Sequence, residues 1–135
     1  MQFYLLMGKI VNLAVLAVLT LSLTIAAPKH YGKCGVMPLK AYTQNILGKN
    51  VGYYVEFKNG SKKSVDALEW QARFYNNFDE LKGTRTGNWS SGNFISPIEP
   101  NATTKDLEGV WVDGATKVFI IISRVHFTDG TTCSK

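Results

Sequence analysis

Histidine and cysteine are scarce in this chain, two of each in 135 residues, and the scarcity removes much of the chemistry a small protein can perform. Histidine is the commonest acid–base and metal-binding side chain. Here His30 and His126 stand far apart, and neither has a second histidine at ligand spacing. Cys34 and Cys133 form no C-x-x-C pair. A G-x-S-x-G elbow and a glycine-rich phosphate loop are both missing. Basic residues are scattered, and only Lys62-Lys63 adjoin, so the concentrated basic face of a nucleic-acid binder is not there either. Carboxylates occur as Asp79-Glu80 and as Glu56, Asp66 and Glu69 on strand-like segments. A glycosidase needs two of them across a groove, but solvated strand faces account for these. The expectation is no catalytic residue, no metal, no cofactor, no nucleic-acid partner and no enzyme.

What the chain does have begins with an uncharged apolar run from Ile10 to Ala27, preceded by Lys9 and closed by Thr24-Ile25-Ala26-Ala27. A positive front, an apolar centre and a small-residue exit are the requirements of a secretory signal peptide. Residues 1–26 are read as that signal, with cleavage after Ala26 or Ala27. The run is also near the ~20 residues that span a bilayer, so an uncleaved N-terminal anchor is the alternative, and the only route to a membrane. Cleavage removes Lys9 and no acid, so the net charge of +5 falls by one. A mild positive balance on an exported domain gives weak attraction to anionic surfaces. The expected location is secreted or periplasmic. There, an even pair of cysteines reads as a disulfide, Cys34–Cys133. Closing nearly the whole domain into one loop would restrict the unfolded chain by about 4–5 kcal/mol.

Residues 27–50 carry Pro28, Gly32, Gly35, Pro38 and Gly48 with little periodicity and are read as an irregular lead-in, with a short strand at Val36–Leu39. Residues 51–135 are strand-like. Val51, Tyr53, Val55 and Phe57 alternate with Gly52, Tyr54, Glu56 and Lys58, the period of a strand with one buried face. Leu68, Trp70, Ala72 and Phe74 alternate in the same way through Val65–Tyr75. Good helix formers occur in that run, but its alternation is cleaner than any helical stripe. Residues 84–92 read as loop or short edge strand, and Leu107–Val112 as a short strand. Lys117–Phe127 is the longest strand, with its Val118–Ile122 half apolar on both faces as a central strand would be. Asp129-Gly130 turns into a last strand at Thr131–Cys133. About seven short strands without a long helix predict an all-β fold, an immunoglobulin-like β-sandwich centred on Trp70.

The stretch from Tyr54 to Val65, followed by Ala72-Arg73-Phe74-Tyr75-Asn76, resembles the bacterial FxLYD-like domains of unknown function, and Val125–Thr131 is similar to the closing hairpin of one subgroup. The resemblance spans about residues 51–133 and implies an immunoglobulin-type sandwich and no enzyme. Asn76 departs from the acid usual at the end of the Phe-Tyr motif. Pro97-Ile98-Glu99-Pro100 departs from the family's Pro-Gly turn.

Trp89, within Gly87-Asn88-Trp89-Ser90-Ser91-Gly92, is the one aromatic in a polar, glycine-flanked context. Aromatics on loops serve recognition, whereas a tryptophan folded inward would cap the sandwich. Trp89 and Asn88 are therefore the candidate binding surface, for a cell-surface glycan or protein. Asn59, Asn88 and Asn101 begin formal glycosylation sequons. The expected function is a secreted, non-enzymatic binding module; a secreted hydrolase or hydrolase inhibitor on the same scaffold is the alternative. Export makes a simple prediction. N-terminal sequencing of the released protein should read from Ala27 or Pro28, and a chain still starting at Met1 or Met7 contradicts the leader.

Overall fold

The computed structural model of the protein describes residues 32–46 and 49–135; the proposed leader, the first residues after it and Leu47-Gly48 lie outside them. Seven strands follow in order: β1 (Val36–Ile46), β2 (Lys49–Asn59), β3 (Val65–Tyr75), β4 (Leu81–Ser90), β5 (Thr103–Glu108), β6 (Lys117–Phe127) and β7 (Thr132–Ser134). They form two antiparallel sheets, ordered β1-β2-β5 and β4-β3-β6-β7. This is the two-sheet sandwich expected from the alternation. β4 sits beside β3, not in the β1-β2-β5 sheet, which differs from the constant-type immunoglobulin division of strands.

The alternating runs bury the faces they were expected to bury. Tyr53, Val55 and Phe57 of β2 and Leu68, Trp70, Ala72 and Phe74 of β3 are all in the core. The lead-in is different: from Val36 it is an eleven-residue strand paired with β2 from Val36↔Asn59 to Ile46↔Lys49. Irregularities at Pro38/Lys40 and Gln44/Asn45 interrupt the pairing. Each such interruption resets the two-residue period, and Pro38 is tolerated because β1 is an edge strand. The sandwich therefore begins well before Val51. Residues 84–90, expected as loop or short edge strand, belong to the full-length edge strand β4, and the strand expected at Leu107–Val112 lies earlier, at Thr103–Glu108.

Trp70 is fully buried and joins the two sheets. Its indole Nε1–H donates to the Tyr53 hydroxyl oxygen at 2.9 Å, and its ring centroid lies 4.7 Å from that of Phe57. Burial of so large a side chain is a main driving term for a domain this size, and the hydrogen bond meets the cost of burying its polar edge. On β4 the residue opposite Trp70 is Gly87. A β-carbon there would stand 2.4 Å from the indole ring, so only glycine fits.

A second knot closes one end of the sandwich. Asn59 is 0% exposed. Its Nδ2 donates to the carbonyls of Lys63 and Ile98, both at 2.8 Å, and its Oδ1 accepts from the Ser61 N–H and hydroxyl. Every polar site of the amide is engaged, as a buried polar group requires, so the first sequon is turn chemistry and its nitrogen is out of reach of a glycan. Beside this end the disulfide Cys34–Cys133 joins the segment before β1 to β7, with Cα atoms 5.6 Å apart.

The sheet edges are handled unequally. On β5, Asp106 and Glu108 share a face with their partners Val55 and Tyr53, and inward-pointing charges are a known guard against edge pairing. Partial burial raises both carboxyl pKa values above the usual range, with Asp106 adding to the effect on Glu108. On β6, β7 pairs only with Arg124, Val125 and His126.

Two outcomes follow from the Trp70 packing. Gly87→Ala should destabilise the domain by about 2–3 kcal/mol in denaturant unfolding, whereas Gly92→Ala, with nothing near its β-carbon, should change little. Burial raises the Tyr53 phenol from 10.0 to about 12, so the folded state holds it neutral where the unfolded chain ionises it. That contribution is complete below pH 10 and is lost as pH rises from about 10 to 12, at up to about 1.4 kcal/mol per pH unit. Tyr53→Phe should be less stable at neutral pH, lacking the acceptor for Trp70, yet should lose less of its stability across that window.

Candidate functional site

Pairing register decides which side chains meet on the outer face of the four-stranded sheet. Ala67 of β3 lies between Ser90 of β4 and His126 of β6, with Thr132 of β7 beyond. In the next row Glu69 lies between Asn88 and Arg124, with Ser134 beyond. Cross-strand partners point to the same side of a sheet. The single methyl group of Ala67 is therefore ringed by longer polar side chains. The result is a depression of about 440 Å³ whose lining includes Ala67, Glu69, Asn88, Ser90, Arg124 and His126.

The polar groups are partly organised by one another. His126 Nδ1 and Asp66 Oδ1 are 2.5 Å apart. The irregularity in the β3–β6 pairing at Glu69/Trp70 sets Ser123 out of register, and its hydroxyl donates to the Glu69 carbonyl at 3.0 Å and to Oε1 at 3.3 Å. Arg124 approaches Glu69 at only 4.0 Å, a loose pair between exposed groups that contributes little stability and leaves both able to bind something else. The main-chain N–H of Asn88 donates to the Glu108 carboxylate, which holds β4 against β5. The Asn88 side-chain amide has no hydrogen bond to any described residue. The face thus offers an amide, a guanidinium, a carboxylate, an imidazole and two hydroxyls around a shallow apolar floor.

Of the two residues expected to form a binding surface, Asn88 is exposed on this face. Trp89 is not the exposed loop aromatic of that expectation. It is 7% exposed and stands opposite Leu68 in the core. Its neighbours Gly87 and Ser90 are strand residues, and the alternation that turns Asn88 and Ser90 outward turns Trp89 inward. Trp89 still borders the depression, beneath the exposed side chains. The other candidates lie apart. Cys34 and Cys133 are joined near the Asn59 end. Asn101 is exposed with φ 66° in the β4–β5 loop. Among the described residues no cluster of three or more His, Cys, Asp or Glu is placed to hold a metal.

A surface that sequence reasoning passed over lies toward the far end of the same sheet. Tyr75 and Phe119 pack edge to face at 5.4 Å, with Leu81 opposite Tyr75. Phe119 and Leu81 are each 57% exposed, and Phe78, in the β3–β4 turn, is 85% exposed. The signal was present in the sequence: Val118–Ile122 is apolar on both faces, yet only one face of β6 meets the core.

No family model and no curated protein matches the chain. The crystal structure at 1.85 Å of a hypothetical protein from Peptoclostridium difficile 630 is similar in fold, with a TM-score of 0.56 and 9% identity. The match covers 77% of this chain and 88% of that one.

Proposed function

We propose that this is an exported, non-enzymatic binding module that recognises a hydroxyl-rich ligand, a cell-surface glycan, in the depression around Ala67. The observation that carries the reading is the Asn88 amide, unengaged among the described residues, beside the loose Glu69–Arg124 pair and the Ser90 hydroxyl. Sugar hydroxyls donate and accept at once, so adjacent hydroxyls suit a surface that mixes donors and acceptors in this way. The groups stand on strands, and a site on rigid elements loses little order when it is filled. The disulfide supports an oxidising location, and the apolar leader supplies the export route.

Calorimetric titration of the secreted protein against purified surface polysaccharides tests the reading. Asn88→Ala and Arg124→Ala should each weaken binding by about tenfold, the size of one hydrogen bond to a polar or charged group, with the melting temperature nearly unchanged. Trp89→Ala should instead lower the melting temperature, because it empties core volume. Binding undiminished in both surface variants would displace the site, and release of reducing ends from the same polysaccharides would replace recognition by hydrolysis.

A further inference from the structure

The outer face of the three-stranded sheet gathers lysines that lie far apart in the sequence. On β2, Tyr54, Glu56 and Lys58 turn away from the buried Val55 and Phe57. Pairing sets Lys40 of β1 and Lys105 of β5 on either side of Glu56, and Tyr42 and Leu107 on either side of Tyr54. One row is therefore a carboxylate between two ammonium groups, and its neighbour is two phenol rings and an aliphatic chain. Lys58 stands beyond the first row. Neighbouring strands are about 4.8 Å apart, so Lys40 and Lys105 are rooted about 10 Å from each other.

These cations are not neutralised by one another's neighbours. Lys63 and Lys117 each reach an aspartate at 2.7 Å, but among the described residues Lys40, Lys58 and Lys105 form no ion pair, with Glu56 or any other acid. Lys40 and Lys105 are exposed and Lys58 is half-buried. The acids of β5, Asp106 and Glu108, share the opposite, inward side with Val55 and Tyr53. Three cations against one carboxylate on one face attract an anion. The rest of the face selects among anions. Tyr42 and Tyr54 stack on each other at 4.9 Å, and Lys40 lies 5.2 Å over the Tyr42 ring, whereas single-stranded nucleic acid needs open ring faces for its bases. A sheet of anionic headgroups would press on Glu56 as well as on the lysines. Glu56, to which the Tyr54 hydroxyl donates at 3.4 Å, is an acceptor amid the cations. It suits a polymer that carries hydroxyl donors between its acidic groups.

From this arrangement we propose that the outer face of the β1-β2-β5 sheet binds an acidic polysaccharide. Lys40, Lys58 and Lys105 pair with its carboxylates, Glu56 accepts from its hydroxyls, and the apolar side of a sugar ring lies along Tyr42, Tyr54 and Leu107. The surface is on the sheet opposite the depression and does not depend on the reading given for it.

The probe is polygalacturonate, a polymer of uronate sugars, titrated into the full exported chain by calorimetry. Dextran, polyphosphate, oligothymidylate and phosphatidylglycerol vesicles are titrated beside it. Polygalacturonate should bind saturably, less tightly as salt is raised, and at least about tenfold more tightly than any of the other four. Lys40→Glu with Lys105→Glu should weaken it by about tenfold or more, and Lys58→Ala by about threefold, with the melting temperature nearly unchanged. Glu56→Gln should weaken polygalacturonate and strengthen polyphosphate, which offers no hydroxyl donor of a sugar. Failure of polygalacturonate to bind, or undiminished binding in the Lys40 and Lys105 double variant, overturns the proposal. Equal or tighter binding of dextran, polyphosphate, oligothymidylate or vesicles also overturns it and names the class of ligand instead. Loss of binding in Asn88→Ala with retention in the double variant moves the polymer to the depression and overturns it as well.

Discussion

The placement of Trp70 governs the rest of the structure. Its indole needs an acceptor on the facing sheet, supplied by Tyr53, an aromatic wall, supplied by Phe57, and a neighbour with no side chain, supplied by Gly87. Once Gly87 is fixed opposite Trp70, the register of β4 is fixed, since a slip of one residue would reverse every side chain. Trp89 must then face inward, and Asn88 and Ser90 outward. The polar face around Ala67 is thus a consequence of a packing requirement on the other side of the same strands.

Four further ties hold the end of the sandwich where Asn59 lies. The Asn59 amide joins the β2–β3 turn to the β4–β5 loop. The Asn59 main chain exchanges hydrogen bonds with Asn101 and Ala102. Cys34–Cys133 brings the segment before β1 to β7 across a separation of 99 residues. At the β6–β7 turn, Lys63 reaches Asp129 at 2.7 Å, and the hydrogen bonds from Lys63 and Thr131 hold the Asp129 carboxyl well below its usual range. The opposite end instead exposes Phe78 and Leu81. Recognition elements need a fixed frame, and His126 stands in the strand that leads into the tied end.

The strands legible in the sequence were those with one continuous buried face. β2, β3 and β6 repeat with a period of two because the core demands it, and Trp70 stood out as its centre. β1 was hidden because Pro38 and two pairing irregularities interrupt the period. β4 was hidden because a glycine and polar outer residues resemble loop composition; the pair Gly87 and Trp89, two apart and both inward, was the trace of it. Asn88 was legible as a surface residue, but its companions were not. Glu69, Arg124 and His126 are distant in sequence, and only the pairing of β3 with β4 and β6 brings them together.

β6 is the central strand its composition suggested, between β3 and β7, but it is flanked by β7 over only part of its length. β7 spans three residues against eleven. Where β7 pairs, at Arg124–His126, the outward residues are a cation and an imidazole. Where it does not, they are Phe119 and Ile121. The composition of β6 thus changes at the point where its partner ends, and Ser123, the out-of-register residue, stands at that boundary. Packing within the described residues accounts for the inward half of this pattern only. Polar residues on the paired half and apolar ones on the unpaired half are what two different contacts along one strand would require.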